Sequence, residues 1–273
     1  MLCYHGIRNS DLLRTATTFE GLHVRDRELE AHCRLIRENC HAISLEQWRV
    51  SLAGGPPLPA RPVLFTFDDG YRSVFTIARP ILERYAIPAV VFVCSDPVER
   101  QRLLWYDAVA RARGETEVER IKTLPFEQWR SLAAAAACPA HGDPNAPITV
   151  TELKTLADIP GVEIGGHTAE HPILARAGLE EQREQIVGNK TSIETWIGRP
   201  VRAFAYPNGQ PGRDFTADTV KIVEEVGFDF AFTTRPGFAR PREDLLESPR
   251  FLMLGGISAA ELAHRLSYSW RRH

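Results

Sequence analysis

Val63-Leu64-Phe65-Thr66-Phe67-Asp68-Asp69-Gly70-Tyr71 joins an apolar, β-branched and aromatic run to two adjacent carboxylates and a glycine. The run reads as a buried strand. Two ionised Asp side chains at its tip are costly there unless a metal, a hydrogen-bond donor or a substrate compensates them. Gly70 allows a sharp turn, which would leave both carboxylates exposed at the strand's carboxyl end, where α/β folds carry their chemistry. Alternation along an extended strand predicts that Asp68 and Asp69 point to opposite faces, so that one could bind a metal and the other face water or substrate. Asp-Asp-Gly is also a plain turn signal, and the choice depends on what the rest of the chain supplies.

Working outward, short strands recur with helical patterns between them, as a βα repeat requires. Strands are expected at Leu2–His5, Val63–Phe67, Ala89–Cys94, Val162–Gly165, Ala203–Tyr206, Phe230–Thr233 and Arg250–Leu254. A helix over Asp26–His41 would bury a stripe of Leu29, Cys33, Ile36 and Cys40. Ser44-Leu45-Glu46-Gln47 is a capping box opening the next helix. Further helices are expected over Ser73–Tyr85, Leu179–Ile197 and Thr216–Val226, and after Ser258. Residues 98–148 break the alternation: charged at first, then alanine-rich, then rich in proline and glycine. They read as a mainly helical insertion over the mouth of the fold. Trp105 and Tyr106 at its start could stack on a sugar ring or simply pack the insertion down.

The second candidate motif is Gly165-Gly166-His167-Thr168-Ala169-Glu170-His171-Pro172, after the apolar Val162-Glu163-Ile164. Pro172 disfavours the α conformation at His171, so a tight loop after a strand fits better than a long helix. His167, His171 and one Asp make a two-His, one-carboxylate set, which leaves positions open for water and substrate. Thr168 stands where the helical His-Glu-x-x-His signature has its Glu, so that protease motif is absent. By themselves the two histidines could be ordinary surface residues; with the Asp pair, both at strand ends, they point to a metal.

Taken in order, Thr66-Phe67-Asp68-Asp69-Gly70, His167-Thr168-Ala169-Glu170-His171 and Phe204-Ala205-Tyr206-Pro207-Asn208-Gly209 resemble the motifs of the polysaccharide deacetylases (NodB-homology, carbohydrate esterase family 4). The resemblance runs from about residue 1 to 255. Leu2-Cys3-Tyr4-His5-Gly6-Ile7 is similar to the start of permuted members related to poly-N-acetylglucosamine deacetylases. The resemblance implies an α/β fold: a single-domain distorted (β/α)7-type barrel over residues 1–273, with the insertion at 98–148. It implies that Asp69, His167 and His171 bind the metal, Asp68 is the general base, and His5 is the general acid for the leaving amine. It also implies that a backbone N–H near Tyr206, in the Tyr206-Pro207 pair, helps hold the oxyanion. His141 and His264 are fallback acids. The third motif lacks the family's usual Arg; Arg250, in Ser248-Pro249-Arg250-Phe251-Leu252, could replace it from a late strand or serve as a structural ion-pair residue.

The resemblance implies a metal-dependent hydrolase that removes an acetyl group from an amino sugar within a polysaccharide, an oligosaccharide or a lipid- or nucleotide-linked sugar. An O-acyl esterase, a deacetylase of a small N-acetylated sugar, or a non-catalytic carbohydrate-binding protein on the same scaffold are the alternatives. Zn²⁺ suits the ligand set best; Co²⁺, Ni²⁺ or Fe²⁺ also fit. The 273 residues, 44% apolar, can bury one large core. Basic and acidic residues number 33 and 35, a net charge of −2, so nothing favours nucleic acid or an anionic membrane as partner. Trp270-Arg271-Arg272-His273 reads as a frayed tail rather than a basic patch. Cys3, Cys33, Cys40, Cys94 and Cys138 form no Cys-x-x-Cys pair and read as reduced thiols. With no apolar run long enough for a membrane span and Met1 leading straight into the first strand, the expected location is the cytoplasm. The sequence sets no oligomeric state.

Overall fold

The computed structural model describes residues 1–10, 19, 21–240 and 245–270, with the backbone alone for 268–270. Of the tail assigned as frayed, Arg271, Arg272 and His273 lie outside the described residues.

Each of the seven expected strands forms, and all pair in parallel in one sheet. They are β1 (Leu2–Tyr4), β2 (Phe65–Phe67), β3 (Ala89–Val93), β4 (Val162–Gly166), β5 (Ala203–Ala205), β6 (Phe230–Phe232) and β7 (Phe251–Leu252). The sheet order is β6-β5-β4-β3-β2-β1-β7, so β1 lies between β2 and β7. Sequential strands are neighbours in space, as short connections in a βα repeat demand. An irregular seam brings the two sheet edges together. Phe232 bridges Ser248 in parallel, the Thr233 N–H donates to Ser248 O (2.9 Å), and the Arg250 N–H donates to Arg235 O (3.0 Å). The result is the distorted barrel implied by the resemblance.

Alternation along the strands sorts the core into two layers. Leu64, Val90, Phe92, Ala203, Ala205, Phe230 and Phe232 form one cluster with Ile43, Leu45 and Trp48. Trp48 lies on the helix Leu45–Leu52, and its ring packs 4.7 Å from that of Phe230. That helix opens with the expected reciprocal cap, the Gln47 N–H donating to Ser44 Oγ (3.1 Å) and the Ser44 N–H to Gln47 Oε1 (2.8 Å). The other faces, including Phe65, Phe67, Ala89, Val91, Val93, Phe204 and Ala231, pack with the surrounding helices. Leu29, Cys33 and Ile36 on helix Asp26–Asn39 belong to this layer, with Cys40 just past the helix end.

Three details differ from expectation. Val63 separates from β2: Pro62–Val63 pairs with His41–Ala42 in a two-residue ladder of its own. The helix after the Asp pair begins as a π turn, Val74–Ala78, before the α-helix Arg79–Tyr85. Pro80 supplies no N–H, and the Arg79 N–H reaches five residues back to Val74 O. An additional helix, Val150–Ala157, opens with a Thr149/Glu152 capping box ahead of β4.

The insertion is helical over Ser95–Arg100, Trp105–Arg113, Glu115–Lys122 and Phe126–Ala136. It has a small core of its own, including Leu104, Trp105, Val109, Val118, Ile121, Phe126 and Trp129, into which Tyr71 projects from the Asp-Asp-Gly turn. Its return segment is stitched to that turn: the Arg72 N–H donates to Ala146 O and the Ile148 N–H to Gly70 O, each at 2.8 Å. All five cysteines are free thiols. Among the described residues no helix is long and apolar enough to cross a membrane.

Candidate active site

β2 ends at Phe67, and the backbone then turns through Asp69 (φ 75°) and Gly70 (φ 78°). The expected alternation therefore fails at this point. Because Asp69 is left-handed rather than extended, Asp68 and Asp69 both line one pocket instead of pointing to opposite faces. Nor are they exposed: each keeps 2% of its accessible surface. Arg250 reaches Asp68 and the insertion covers Asp69.

The histidines come from the loop after β4. His167 follows the strand directly; Thr168 (φ 63°) and His171 (φ 62°) are left-handed, and the His171 N–H donates to Thr168 Oγ1 at 3.0 Å. This is the tight loop expected ahead of Pro172. His167 is gripped from several directions. Its N–H donates to Asn189 Oδ1 (3.0 Å), and its Nδ1 lies 2.7 Å from Ala205 O. A carbonyl only accepts, so Nδ1 carries the hydrogen and Nε2 of the neutral ring presents a lone pair.

That lone pair faces Asp69. Asp69 Oδ1 is 3.2 Å from His167 Nε2 and 3.3 Å from His171 Nε2, yet it is a buried oxygen with no well-formed hydrogen bond. Two imidazole nitrogens converging on one buried carboxylate oxygen form the donor set that a divalent cation satisfies. The three residues fit a metal ion on these grounds. Burial raises the Asp69 carboxyl, but His5, His167 and His171 around it outweigh burial and hold it well below the usual range. Burial lowers His167, but the Asp69 and Asp68 carboxylates overcome it and move the ring upward. At His171 burial prevails and the shift is downward.

Asp68 sits beside this set in a different environment. Arg250 Nη1 donates to Asp68 Oδ1 and Nη2 to Oδ2, both at 2.7 Å. The guanidinium has no exposed surface; its Nε donates to Thr233 O (2.9 Å) and its plane lies near the Phe92 and Phe232 rings. Burial raises the Asp68 carboxyl, but Arg250 above all, with His167 and His5, outweighs it and holds the group below its ordinary value. The Cys3 thiol also points at Asp68 Oδ2 (3.3 Å). His5, just past β1, has Nε2 4.0 Å from Asp69 Oδ2 and lines the pocket. The fallback acids are elsewhere: His141 lines a separate depression with Arg72 and Asn145, and His264 is exposed on the last helix.

Two expectations are corrected. Trp105 cannot stack on a sugar at the pocket. Its ring is buried against Trp129 and Tyr106, and its Nε1–H is committed to His171 O at 2.9 Å. The Tyr206 N–H cannot serve an oxyanion, because it donates to Phe232 O at 3.1 Å, and its hydroxyl donates to Leu246 O. Pro207 has no N–H, so the next backbone donor is that of Asn208, a residue at φ 58° that lines the pocket. The pocket, about 280 Å³, also takes Tyr106, the second aromatic offered for a sugar ring, and Phe19, Lys122, Gln210 and Arg213, which the motifs did not point to. Asn208 lies within the third motif and Gln210 directly follows it, and that position was the available signal.

A family described as "Polysaccharide deacetylase" matches residues 55–231. The chain is 22% identical over 261 residues to YxkH of Bacillus subtilis, covering 95% of this chain and 73% of that protein. It is 27% identical over 252 residues to the poly-beta-1,6-N-acetyl-D-glucosamine N-deacetylase of Escherichia coli, covering 89% of this chain. It spans only 35% of that relative's length. Among solved structures, the Streptococcus pyogenes deacetylase PplD, in complex with acetate, superposes with a TM-score of 0.71 at 20% identity, covering 97% of this chain and 96% of that one.

Proposed function

The chain belongs to the polysaccharide deacetylase family, and from that premise we propose that it is a metal-dependent hydrolase that removes an N-acetyl group from an amino sugar. The observation that carries the reading is Asp69 Oδ1, buried and without a hydrogen bond, between the Nε2 atoms of His167 and His171. Asp69, His167 and His171 hold the ion, with Zn²⁺ the best match to the donors and Co²⁺, Ni²⁺ or Fe²⁺ also accommodated. Bound there, a divalent ion polarises an acyl carbonyl and acidifies water.

The chain's own residues do the rest. Asp68, kept ionised by Arg250, takes the proton of the attacking water. His5, at the pocket wall, protonates the departing nitrogen, since an amine leaves poorly as an anion. The Asn208 N–H is the backbone donor for the developing oxyanion. Arg250, bonded to Asp68, would supply the partner that the third motif lacks, which favours a catalytic scaffold over a non-catalytic binder. The five free thiols support a reducing compartment, hence the cytoplasm.

The test is acetate release from a panel of N-acetylated mono-, oligo- and lipid-linked sugars and O-acetyl esters, alongside metal analysis. Wild-type protein releases acetate and holds stoichiometric metal; His167→Ala loses both; Asp68→Asn keeps the metal and loses turnover. A fully active Asp68→Asn variant refutes the assignment of the base, and wild-type protein that takes up no metal refutes the centre.

A further inference from the structure

The two metal ligands with left-handed backbones, Asp69 and His171, come from different strands, β2 and β4, yet both are held by one turn of the insertion. Trp105 and Tyr106 open the helix Trp105–Arg113. Trp105 Nε1–H donates to His171 O (2.9 Å), and Tyr106 Oη–H donates to Asp69 Oδ2 (2.7 Å). The Tyr106 ring also meets the His171 ring edge-on, with centroids 5.1 Å apart. His167 receives neither hydrogen bond and is fixed by Asn189 and Ala205 instead.

Left-handed backbone costs a non-glycine residue about 1–2 kcal/mol, so such a conformation persists only where surrounding contacts impose it. At Asp69 the contact does more. The carboxylate has two oxygens, and tying Oδ2 to Tyr106 turns Oδ1 toward the imidazoles. Tyr106 is fixed in turn. Its hydroxyl lies 2.9 Å from that of Tyr71, which donates to Asp107 Oδ2 (2.9 Å), while Asn145 Nδ2 donates to Asp107 Oδ1 (2.8 Å). With its own hydrogen directed to Asp107, Tyr71 leaves the hydrogen of Tyr106 to Asp69, the closer and charged acceptor. Tyr71, Tyr106, Asp107 and Asn145 are all buried.

We propose that Trp105-Tyr106-Asp107 is a clamp that positions Asp69 and His171 for the metal, so that the insertion completes the metal centre as well as covering it. This rests on the reading of Asp69, His167 and His171 as metal ligands. Trp105, Tyr106 and Asp107 are positioning residues, acting through the ligands.

The experiment measures Zn²⁺ affinity of the full chain by competition with a chromophoric chelator, and the visible absorption of the Co²⁺ form. Tyr106→Phe keeps the ring and removes the hydroxyl; it weakens Zn²⁺ binding about 10–100-fold, the usual effect of losing a hydrogen bond to a ligand, and alters the Co²⁺ bands. Tyr71→Phe, which leaves the Tyr106 hydroxyl but unlocks it, loses less. Trp129→Phe, in the same insertion core without a ligand contact, lowers the melting temperature and leaves affinity and spectrum unchanged. Wild-type affinity and spectrum in both Tyr106→Phe and Tyr71→Phe overturn the clamp, as does a Trp129→Phe loss equal to that of Tyr106→Phe. Zn²⁺ binding unaffected by His167→Ala overturns the metal centre itself, a separate result.

Discussion

Arg250 and Asp68, 182 residues apart, meet through two parallel 2.7 Å hydrogen bonds in the floor of the pocket. The pair is buried, and its geometry is the fork-to-fork match that only a guanidinium offers a carboxylate. Arg250→Ala strands a buried carboxylate, which costs about 3–5 kcal/mol of stability. Arg250 is also what keeps the Asp68 carboxyl low against burial, so its loss moves the acid limb of the activity profile to higher pH. Arg250→Lys restores charge without the fork and recovers only part of either. Urea unfolding and a pH–rate profile check this; wild-type values for both in Arg250→Ala refute it.

His5 is assigned the leaving-group proton. His5→Ala should lower kcat on an N-acetyl sugar by about 10²–10⁴-fold with metal content unchanged. An aryl acetate, whose phenolate departs without a proton, should be hydrolysed at close to the wild-type rate. Equal losses on both substrates would show that His5 does something else.

Gly166 makes room for the side chain that holds His167. A Cβ there would lie 2.6 Å from Asn189 Oδ1, the acceptor of the His167 N–H. Asn189 Nδ2 also donates to Val93 O at 2.9 Å, so it cannot swing aside without losing a second buried bond. Gly166→Ala should cost about 1–3 kcal/mol of stability and weaken metal retention. Thermal melting and metal analysis after dialysis test it, and an unchanged variant means Asn189 is not needed.

Acid sensitivity should trace in part to His23. Burial foremost, with Arg8 and His5 nearby, lowers this ring from 6.5 to about 3. The folded chain therefore leaves His23 neutral in a range where the unfolded chain protonates it. Stability contributed by the neutral ring is complete above pH 6.5 and is lost as pH falls toward 3, by up to about 1.4 kcal/mol per unit. Urea unfolding at pH 7, 6 and 5, with chelator present throughout, should show a shallower decline for His23→Gln; identical slopes refute the assignment.

How much was legible in the sequence follows from what each feature depends on. The seven strands stood out because a parallel sheet buries both faces, leaving apolar runs such as Ala89–Val93 that few other structures explain. The Asp and His motifs stood out because charge at the end of such a run needs compensation. The direction of each side chain was not legible. Strand alternation predicted opposite faces for Asp68 and Asp69, and one left-handed residue undid it. Trp105 looked like a sugar platform because its indole is amphipathic, but its N–H found the His171 carbonyl, a partner 66 residues away. The Asp69–Tyr106 contact likewise joins a turn to an insertion that has no periodic relation to it.

Because β1 lies between β2 and β7, the pocket draws on both extremes of the described chain. On the ribosome, Asp68 emerges 182 residues ahead of the arginine that neutralises it. Until then the nascent barrel must either keep that carboxylate hydrated or protonate it. Vectorial synthesis thus leaves the seam open to water to the last, and a chain stalled before Ser248 would have the aspartates and histidines translated but no means of shutting the staves around them.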